Sequence, residues 1–423
     1  MKKEAGVGEK NRAADAIAEC QLLATMSEEP GRTTRRFLTP PFHDVHAHLR
    51  ARMIALGMMA TVDAAGNLRG LWRPEAVAGK DAGGKRLVIG SHIDTVPDAG
   101  AFDGVLGVIL ALELVEKARA NSLPMALEVI AFSEEEGVRF GVPFLGSRAV
   151  AGRFDPALLK LKDANGVSVE GAIRCFRLNP DQLDEAAISD EAIGFFEIHI
   201  EQGPVLEAEG LQLACVTGIV GQTRCEVIFT GQANHAGTTP MRLRHDALAC
   251  AAEWISGVEK LAARAEKPGK SELVATVGKI ALEPNAVNVI PGSVRVSLDV
   301  RSACDATRED AAAELLNLAR EISDRRLLRC ETRTLITQPA VPMDERLTAF
   351  LADSIEAAGF SPRRLPSGAG HDAMVMATRL PTAMLFLRSP GGISHHPAEA
   401  VLEGDIEAAL RASWIFLQRL ADQ

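Results

Sequence analysis

Five short stretches of the chain place metal-compatible side chains at or just after runs that predict strands. They are His92 with Asp103 in SHIDTVPDAGAFDG, the acidic triplet of Glu134, Glu135 and Glu136, His199 in EIHIEQG, His371 with Asp372 in GAGHDA, and His395 with His396 in GGISHHPAE. Imidazole and carboxylate groups suit Zn, Mn, Co or Ni, and one carboxylate can bridge two such ions. Two ions about 3.5 to 4 Å apart lower the pKa of a shared water and hold the carbonyl that it attacks. The clusters therefore predict a hydrolytic metal centre, which also needs a metal-free carboxylate to move protons.

Structural roles compete with this interpretation for several of the candidate residues. Lone histidines in polar, helical surroundings are expected to be structural, which applies to His43, His46, His48 and His245. Acidic residues are usually solvated or lie at helix N-termini, and we expect this of Glu134. Glu135 and Glu136 directly follow a buried strand, where open α/β sheets place ligand sites, so we expect them to be functional.

Short apolar runs alternate with helical patterns in the first half of the chain. Residues 87–90 and 127–132 predict strands, and the amphipathic stretch 105–118 between them predicts a helix. This order indicates a β-α-β unit in a largely parallel sheet, to which residues 195–200 add a strand.

The pattern changes after about residue 216. Runs at 225–231, 274–282 and 293–302 alternate apolar and polar residues, as strands with one exposed face do. They flank helices predicted at 247–260 and 308–320, which indicates an inserted α+β domain. From about residue 340 the chain returns to its first pattern. Two domains also suit the length of 423 residues, which exceeds what one hydrophobic core usually serves.

Composition excludes several classes of partner. A net charge of -10, with no stripe of lysine and arginine, argues against nucleic acid. No apolar run approaches the roughly 20 residues that span a bilayer, so no membrane partner is expected. The amino terminus carries charges where a signal peptide needs an apolar core, and the seven cysteines form no C-x-x-C pair. We therefore expect a cytoplasmic protein with reduced cysteines.

Taken together, the motifs resemble the M20 metallopeptidase-like amidohydrolases, in the branch of allantoate amidohydrolase, N-carbamoyl-L-amino-acid hydrolase and β-ureidopropionase. The match runs in order from about residue 34 through GSHIDTVPDAGAFDG, SEEEGVRF, EIHIEQGPVLE, GIVGQTR, ANHAGTTPM, NAVNVIPG with DVR, SGAGHDA and GGISHHPAE. The resemblance implies an α/β fold with a discontinuous di-metal catalytic domain at 1–216 and 335–423, built on a central, mostly parallel sheet with flanking helices. It also implies a smaller α+β lid and dimerisation domain inserted at 217–334.

The resemblance implies two divalent ions per subunit, of Zn, Mn, Co or Ni. Their ligands would be His92, Asp103, Glu136, His199 and His395. Asp103 would bridge the ions, and His396 is the alternative to His395. A neutral histidine at position 199 replaces the acidic residue of exopeptidase relatives, which leaves the site more positive.

Catalytic and substrate-binding roles are implied in the same way. Glu135 resembles the general base that activates the bridging water and then protonates the departing nitrogen, and Asp94 would orient His92 through its other ring nitrogen. His235 resembles the histidine that reaches across a homodimer, formed through the lid, to the oxyanion. The substrate-holding residues would be Gln202, His235, Asn288 and Arg301. Asn288 also fits a turn residue, and Arg301 a strand-surface charge.

The implied reaction is hydrolysis of the C–N bond of a small anionic ureido compound, allantoate or an N-carbamoyl-L-amino acid, with release of ammonia and carbon dioxide. The alternative is an M20-type dipeptidase or aminoacylase that cleaves a peptide or acyl amide with the same metals. A non-catalytic carbohydrate- or amino-acid-binding module would require a broken ligand set, and the set is intact here.

Overall fold

The computed structural model describes residues 11–74, 85–265 and 273–423. Its α-helices are α1 Arg12–Ala24, α2 Pro41–Ala55, α3 Val105–Ala120, α4 Leu145–Val150, α5 Val169–Cys175, α6 Val205–Ala208, α7 Ala247–Ala265, α8 Asp305–Arg325, α9 Glu345–Ala357, α10 Asp372–Met376 and α11 Glu403–Ala421. Its strands are β1 Met59–Val62, β2 Leu68–Trp72, β3 Arg86–His92, β4 Ala126–Phe132, β5 Ala192–Ile200, β6 Leu213–Ile219, β7 Gly221–Thr230, β8 Asn234–His235, β9 Leu273–Thr276, β10 Ile280–Glu283, β11 Val289–Ile290, β12 Ser293–Ser302, β13 Arg329–Gln338, β14 Val341–Pro342, β15 Arg363–Ser367 and β16 Thr382–Leu387.

The chain divides into two compact units. Unit 1 contains Met1–Thr217, Met343–Leu365 and Gly370–Gln423, and unit 2 contains Gly218–Pro342 and Pro366–Ala369. The predicted boundary after residue 334 falls inside β13, which continues to Gln338 and is mostly exposed. The second boundary therefore lies eight residues later, at Pro342, once β13 has left its sheet.

Unit 1 is built on a central sheet whose strands follow the order β1-β2-β4-β3-β5-β16-β6. The pairs β4-β3, β3-β5 and β5-β16 are parallel, whereas the outer pairs β1-β2, β2-β4 and β16-β6 are antiparallel. Every residue of β3 and β4 is buried, as expected of strands covered on both faces. The predicted α/β class with a central, mostly parallel sheet and flanking helices is confirmed.

The parallel strands bring several chemical groups to one edge of the sheet. α3 connects β3 to β4 and is buried along most of its length, which explains its continuous apolar sequence. Because β3, β4, β5 and β16 run in the same direction, their carboxyl ends meet at this edge, and the loops that follow them lie side by side.

Unit 2 is an α+β structure with a five-stranded sheet in the order β10-β12-β7-β13, in which β9 also pairs with β12. Residues of β12 alternate between buried and more exposed positions, so one face of the sheet is apolar. α7 and α8 contribute Trp254 and Leu315 to the core on this face. Within the described ranges, no helix has the length and apolar character needed to cross a membrane. Residues 1–10, with which the predicted cytoplasmic amino terminus begins, lie outside the described ranges.

Candidate metal centre

Two buried histidines lie at the carboxyl ends of neighbouring strands. His92 is the last residue of β3 and His199 is the last but one of β5. Their Nε2 atoms are 3.4 Å apart, and the Nε2 of His199 is 3.3 Å from Oδ1 of Asp103. The Nε2 of His92 is 4.0 Å from the same oxygen. The sheet thus brings two imidazoles to one carboxylate that arrives from the loop before α3.

The main-chain contacts of these histidines determine which ring nitrogen carries the proton. Nδ1 of His92 lies 3.0 Å from the carbonyl oxygen of Asp94, and Nδ1 of His199 lies 2.9 Å from that of Ile200. A carbonyl only accepts, so each ring donates from Nδ1, and Nε2 is the nitrogen left for a metal to bind. Two buried Nε2 atoms beside one buried carboxylate suit a cation, and these residues therefore fit a divalent metal.

The loop after β16 brings a third histidine to the opposite side of the shared carboxylate. Nε2 of His395 is 3.1 Å from Oδ2 of Asp103 and 3.2 Å from Oε1 of Glu136. His395 has a φ of 55°, a left-handed backbone conformation that turns its ring toward the carboxylates. His396 is exposed, and its Nδ1 accepts the N–H of Ala398 at 3.1 Å. The geometry therefore assembles His395, and not the alternative His396, with the other predicted ligands.

Possible ligand groups overlap within this cluster. Four sets place one donor atom from each residue within 4.8 Å of the others: His92, Asp103 and His199; Asp103, Glu136 and His395; His92, Glu135 and Glu136; and Glu197, His199 and His371. The first two sets share Asp103, which is the arrangement that a bridging carboxylate requires. Glu135 belongs to a set without Asp103, together with His92 and Glu136.

Asp94 makes a different contact from the one predicted. Its carboxylate oxygen is 3.5 Å from Nδ1 of His92, farther than the backbone carbonyl of the same residue. The carboxylate instead accepts the N–H groups of Glu135 at 3.0 Å and Glu136 at 3.1 Å. Asp94 therefore orients His92 mainly through the main chain of Asp94. The side chain of Asp94 holds the loop after β4 that contains Glu134, Glu135 and Glu136, which we call the acidic loop. Asp98, in the same loop, has a φ of 55° within a turn.

Burial and neighbouring charges shift the titration of the cluster in opposite directions. Burial raises the pKa of Glu135 well above its usual range, although the nearby His92 opposes this. The pKa of Asp103 is lowered. Burial alone would raise it, but the hydrogen bond with His395 and the charges of the adjacent histidines outweigh the effect of burial. Burial lowers the pKa of His199 to about 4. The hydrogen bonds with Asp103 and Glu136 raise the pKa of His395 to about 10.

Several buried polar residues around the centre were not assigned a role from the sequence. Glu134 is fully buried and its carboxylate oxygens have no hydrogen-bond partner, so the expectation of a solvated or helix-terminal residue is wrong. Glu197 accepts the hydroxyl of Ser91 at 2.9 Å and the N–H of Ala373 at 2.8 Å. Glu197 alternates with His199 along β5, but period-two alternation cannot distinguish a buried carboxylate from an exposed one when both faces of the sheet are covered.

Gln202 lies close to the shared carboxylate. Its Nε2 donates to both oxygens of Asp103, at 3.0 and 3.1 Å, and lies 3.3 Å from Oγ of Ser394. Its Oε1 is buried without a hydrogen-bond partner. One amide oxygen therefore remains to accept a hydrogen bond at the predicted centre.

The other predicted substrate-binding residues belong to unit 2. β8 pairs with β11, so His235 lies opposite Val289 and next to the turn that contains Asn288, and both His235 and Asn288 are exposed. Nδ1 of His235 accepts the N–H groups of Gly237 at 3.1 Å and Thr238 at 3.2 Å. The proton of the neutral ring is therefore on Nε2, which makes His235 a hydrogen-bond donor.

Arg301 projects from β12 into a half-open cavity of about 1310 Å³ on the exposed face of the unit 2 sheet. Its Nε and one terminal nitrogen donate to Asp299, each at 3.1 Å, and the other terminal nitrogen donates to the carbonyl of Gly368 at 2.7 Å. One N–H on each terminal nitrogen remains for another acceptor. The cavity contains Arg301 but none of the predicted metal ligands.

Comparison with known proteins identifies the family of the chain. Residues 88–418 match the model of peptidase family M20/M25/M40. The chain belongs to this family. The M20 relatives include a probable allantoate deiminase of Oryza sativa subsp. japonica, 38% identical across 93% of this chain and 86% of the relative. They also include an N-carbamoyl-L-amino acid amidohydrolase of Geobacillus stearothermophilus, 36% identical across 89% of this chain and 91% of the relative.

A solved M20 structure supports the same relationship. The amidase of the hydantoinase/carbamoylase family from Burkholderia multivorans superposes with a TM-score of 0.89 and 30% identity, covering 97% of this chain and 98% of that chain. The M20 family normally binds divalent metals, and the clusters around Asp103 supply candidate ligands. The chain is therefore an M20 hydrolase of the amidohydrolase type, as predicted, and its reaction breaks a carbon–nitrogen bond.

Proposed function

We propose that the protein hydrolyses the C–N bond of a linear ureido compound, either allantoate or an N-carbamoyl-L-amino acid. The observation that carries the proposal is the convergence of three histidines and the carboxylate of Glu136 on Asp103, with Glu135 alongside. Relatives named for allantoate and for N-carbamoyl-L-amino acids match nearly the full chain, which favours these substrates over a dipeptide or an acyl amide.

We propose two divalent ions per subunit, drawn from Zn, Mn, Co or Ni. Their ligands would be His92, Asp103, Glu136, His199 and His395, with Asp103 shared between the two positions. When bound, such ions acidify the attacking water and polarise the carbonyl. The Nδ1 contacts of His92 and His199, which leave each Nε2 facing Asp103, support this assignment, as does the position of His395 between Asp103 and Glu136.

Glu135 would act as the general base. Its raised pKa means that its carboxylate binds a proton more readily than an exposed glutamate does, which suits a group that takes a proton from water and returns it. The proton would pass to the departing nitrogen as the carbon–nitrogen bond breaks. The products are ammonia and a carbamate, which decomposes to an amine and carbon dioxide.

Four polar residues would bind the substrate. His235 would donate from Nε2 to the oxyanion, which agrees with the two main-chain N–H groups that its Nδ1 accepts. Arg301 would grip the substrate carboxylate with the remaining N–H groups of its two terminal nitrogens. Gln202 and Asn288 would supply further polar contacts, and the unpartnered Oε1 of Gln202 supports its part in this set.

We propose further that unit 2 acts as a lid and forms a homodimer. β13 is ten residues long and lies at the edge of its sheet, with the exposed Leu335 on it. An unpaired edge strand can pair with a second copy of the chain. Sedimentation analysis of the purified protein tests this, and a monomer at micromolar concentration would contradict it.

The seven free cysteines support the proposed cytoplasmic location.

The substrate is tested with a panel assayed after loading with Mn, Co, Ni or Zn in turn. The panel contains allantoate, several N-carbamoyl-L-amino acids and several dipeptides and N-acyl amino acids. Ammonia released from a ureido compound is the expected result. Release of an amino acid from a dipeptide or N-acyl amino acid, without ammonia from any ureido compound, would contradict the proposal.

The role of Glu135 is tested with Glu135→Gln. The amide keeps the shape of the side chain but cannot take up a proton, so we expect kcat to fall by about 100-fold or more. Metal content should remain close to that of the unchanged protein, because Glu135 is not among the proposed ligands. Ammonia release at an unchanged rate would show that another group is the base.

A further inference from the structure

Glu399 is a buried carboxylate that has no part in the proposed chemistry. It lies four residues after His395 and is 5% exposed. Its Oε1 accepts the N–H of Phe102 at 2.9 Å and the N–H of Asp103 at 3.0 Å. One oxygen of Glu399 therefore fixes the main chain that carries the shared carboxylate.

The second oxygen of Glu399 connects to the loop of His395. The hydroxyl of Ser394 lies 3.2 Å from Oε2 of Glu399 and 3.3 Å from Oδ2 of Asp103. Ser394 also precedes His395 in the chain, so the same hydroxyl links the loop after β16 to the loop before α3. Glu399 thus contacts the main chain of Asp103 directly, and it is linked to the side chain of Asp103 through Ser394.

The close approach of Glu399 depends on a residue without a side chain. A Cβ atom at Gly100 would lie 2.4 Å from Cβ of Glu399 and 2.5 Å from its Oε1. Such distances are below van der Waals contact, so any side chain at this position would push the two loops apart. A buried carboxylate is costly unless it is hydrogen-bonded, and the two amides and the hydroxyl offset that cost.

We propose that Glu399 is a positioning residue that holds Asp103 and His395 in register for metal binding. Its hydrogen bonds fix the position of Asp103. Asp103 is common to two possible ligand sets, one with His92 and His199 and one with Glu136 and His395. This inference rests on the proposed function, since it concerns the metal site of that function. Loss of Glu399 would weaken the metal site without removing a ligand.

The test measures Mn²⁺ affinity of metal-free protein by titration calorimetry. Outer hydrogen-bond partners of metal ligands typically contribute about 10- to 100-fold in affinity, so Glu399→Ala should weaken Mn²⁺ binding by about that factor. Asp344→Ala provides the matched control. Asp344 accepts the N–H of Leu347 at 2.9 Å, and its own N–H bonds to Thr382 at the start of β16, at the edge of the sheet away from the centre.

Three results together support the inference. Glu399→Ala loses affinity, Asp344→Ala lowers the melting temperature of the metal-free protein but keeps its affinity, and Glu399→Gln binds Mn²⁺ within about threefold of the unchanged protein. Glutamine keeps one oxygen for the two amides, and its NH₂ group can donate to Ser394. Glu399→Asp, which retracts the carboxylate by one methylene, should lose affinity and replaces the alanine variant if that variant does not fold.

Unchanged affinity in both Glu399→Ala and Glu399→Asp would overturn the inference, and so would an equal loss of affinity in Glu399→Gln and Glu399→Asp. Failure of the underlying function has a different signature. In that case the unchanged protein itself does not bind Mn²⁺, Zn²⁺, Co²⁺ or Ni²⁺.

Discussion

Asp103 is surrounded by imidazoles that differ in charge. His199 is fully buried, with a pKa lowered to about 4, so it is neutral at physiological pH. His395 has a side chain that is 47% exposed and a pKa raised to about 10, so it is cationic in the metal-free protein. A metal ligand must be neutral at the nitrogen that binds, so His395 must lose its proton when an ion binds and His199 need not.

The charge of His395 predicts how its contribution to stability depends on pH in metal-free protein. Its pKa in the folded state lies above the ordinary value of 6.5, so its ion pairs stabilise the fold fully below pH 6.5 and are lost as pH rises through about 10. Because the side chain is partly exposed, the contribution is about 1 kcal/mol. We expect His395→Gln to lower the melting temperature by about 1 to 2 °C at pH 6 and by much less at pH 10. Thermal unfolding with a chelator present measures this.

His46 offers a control with the opposite sign. Burial in α2 lowers its pKa to about 4, below the ordinary value of 6.5. Its neutral form stabilises the fold above pH 6.5, and that contribution is lost as pH falls toward 4. Relative to His46→Gln, the unchanged protein should therefore lose stability on acidification. A difference for His395→Gln that does not change with pH would contradict its assignment as a cation.

At the scale of elements, Asp94 joins the ends of two neighbouring strands. It follows β3, and its carboxylate accepts N–H groups at positions 135 and 136 in the loop after β4. The parallel β-α-β unit could be predicted from the alternation of apolar runs and helices, and parallel strands place their following loops together. The contact of Asp94 could not, because it depends on how two loops turn after leaving the sheet. The family resemblance had pointed instead to a contact with the ring of His92.

The strand connection predicts the effect of Asp94→Asn. An asparagine presents NH₂ to one of the two main-chain N–H groups, so a donor faces a donor and the acidic loop shifts. We expect kcat to fall by about 10- to 100-fold because Glu135 moves, the size of effect that outer partners of such sites show. Steady-state ammonia release measures it. Asp98→Asn is the matched control, because Asp98 lies in the same loop with a φ of 55°, which asparagine tolerates.

An unchanged kcat in Asp94→Asn would show that the acidic loop keeps its position without these hydrogen bonds. A fall of similar size in Asp98→Asn would show instead that any substitution in this loop is harmful. Only a difference between the two variants supports the specific role of the Asp94 carboxylate.

At the scale of the whole molecule, the change from continuous to alternating apolar runs predicted a second domain and its start. Continuous runs belong to strands covered on both faces, as in β3 and β4, and alternating runs to strands with one exposed face, as in β12. The end of unit 2 was predicted eight residues too early, because β13 is mostly exposed and carries little apolar signal. Glu134 and Glu399 show the corresponding limit within the site, since acidic side chains give no sign of burial in a sequence.

The division into units predicts where metal binding stabilises the chain. All five proposed ligands belong to unit 1, so bound ions should stabilise the folded state of that unit alone. At an ion concentration of about 100 times Kd, one site contributes about 2.7 kcal/mol. We expect amide hydrogen exchange to slow in β3, β5 and α3 when Mn²⁺ is added and to speed up again with a chelator. Exchange in β7 and β12 of unit 2 should not change. Equal protection in both units would mean that they unfold as one cooperative structure, and no protection in unit 1 would mean that these five side chains do not form the metal site.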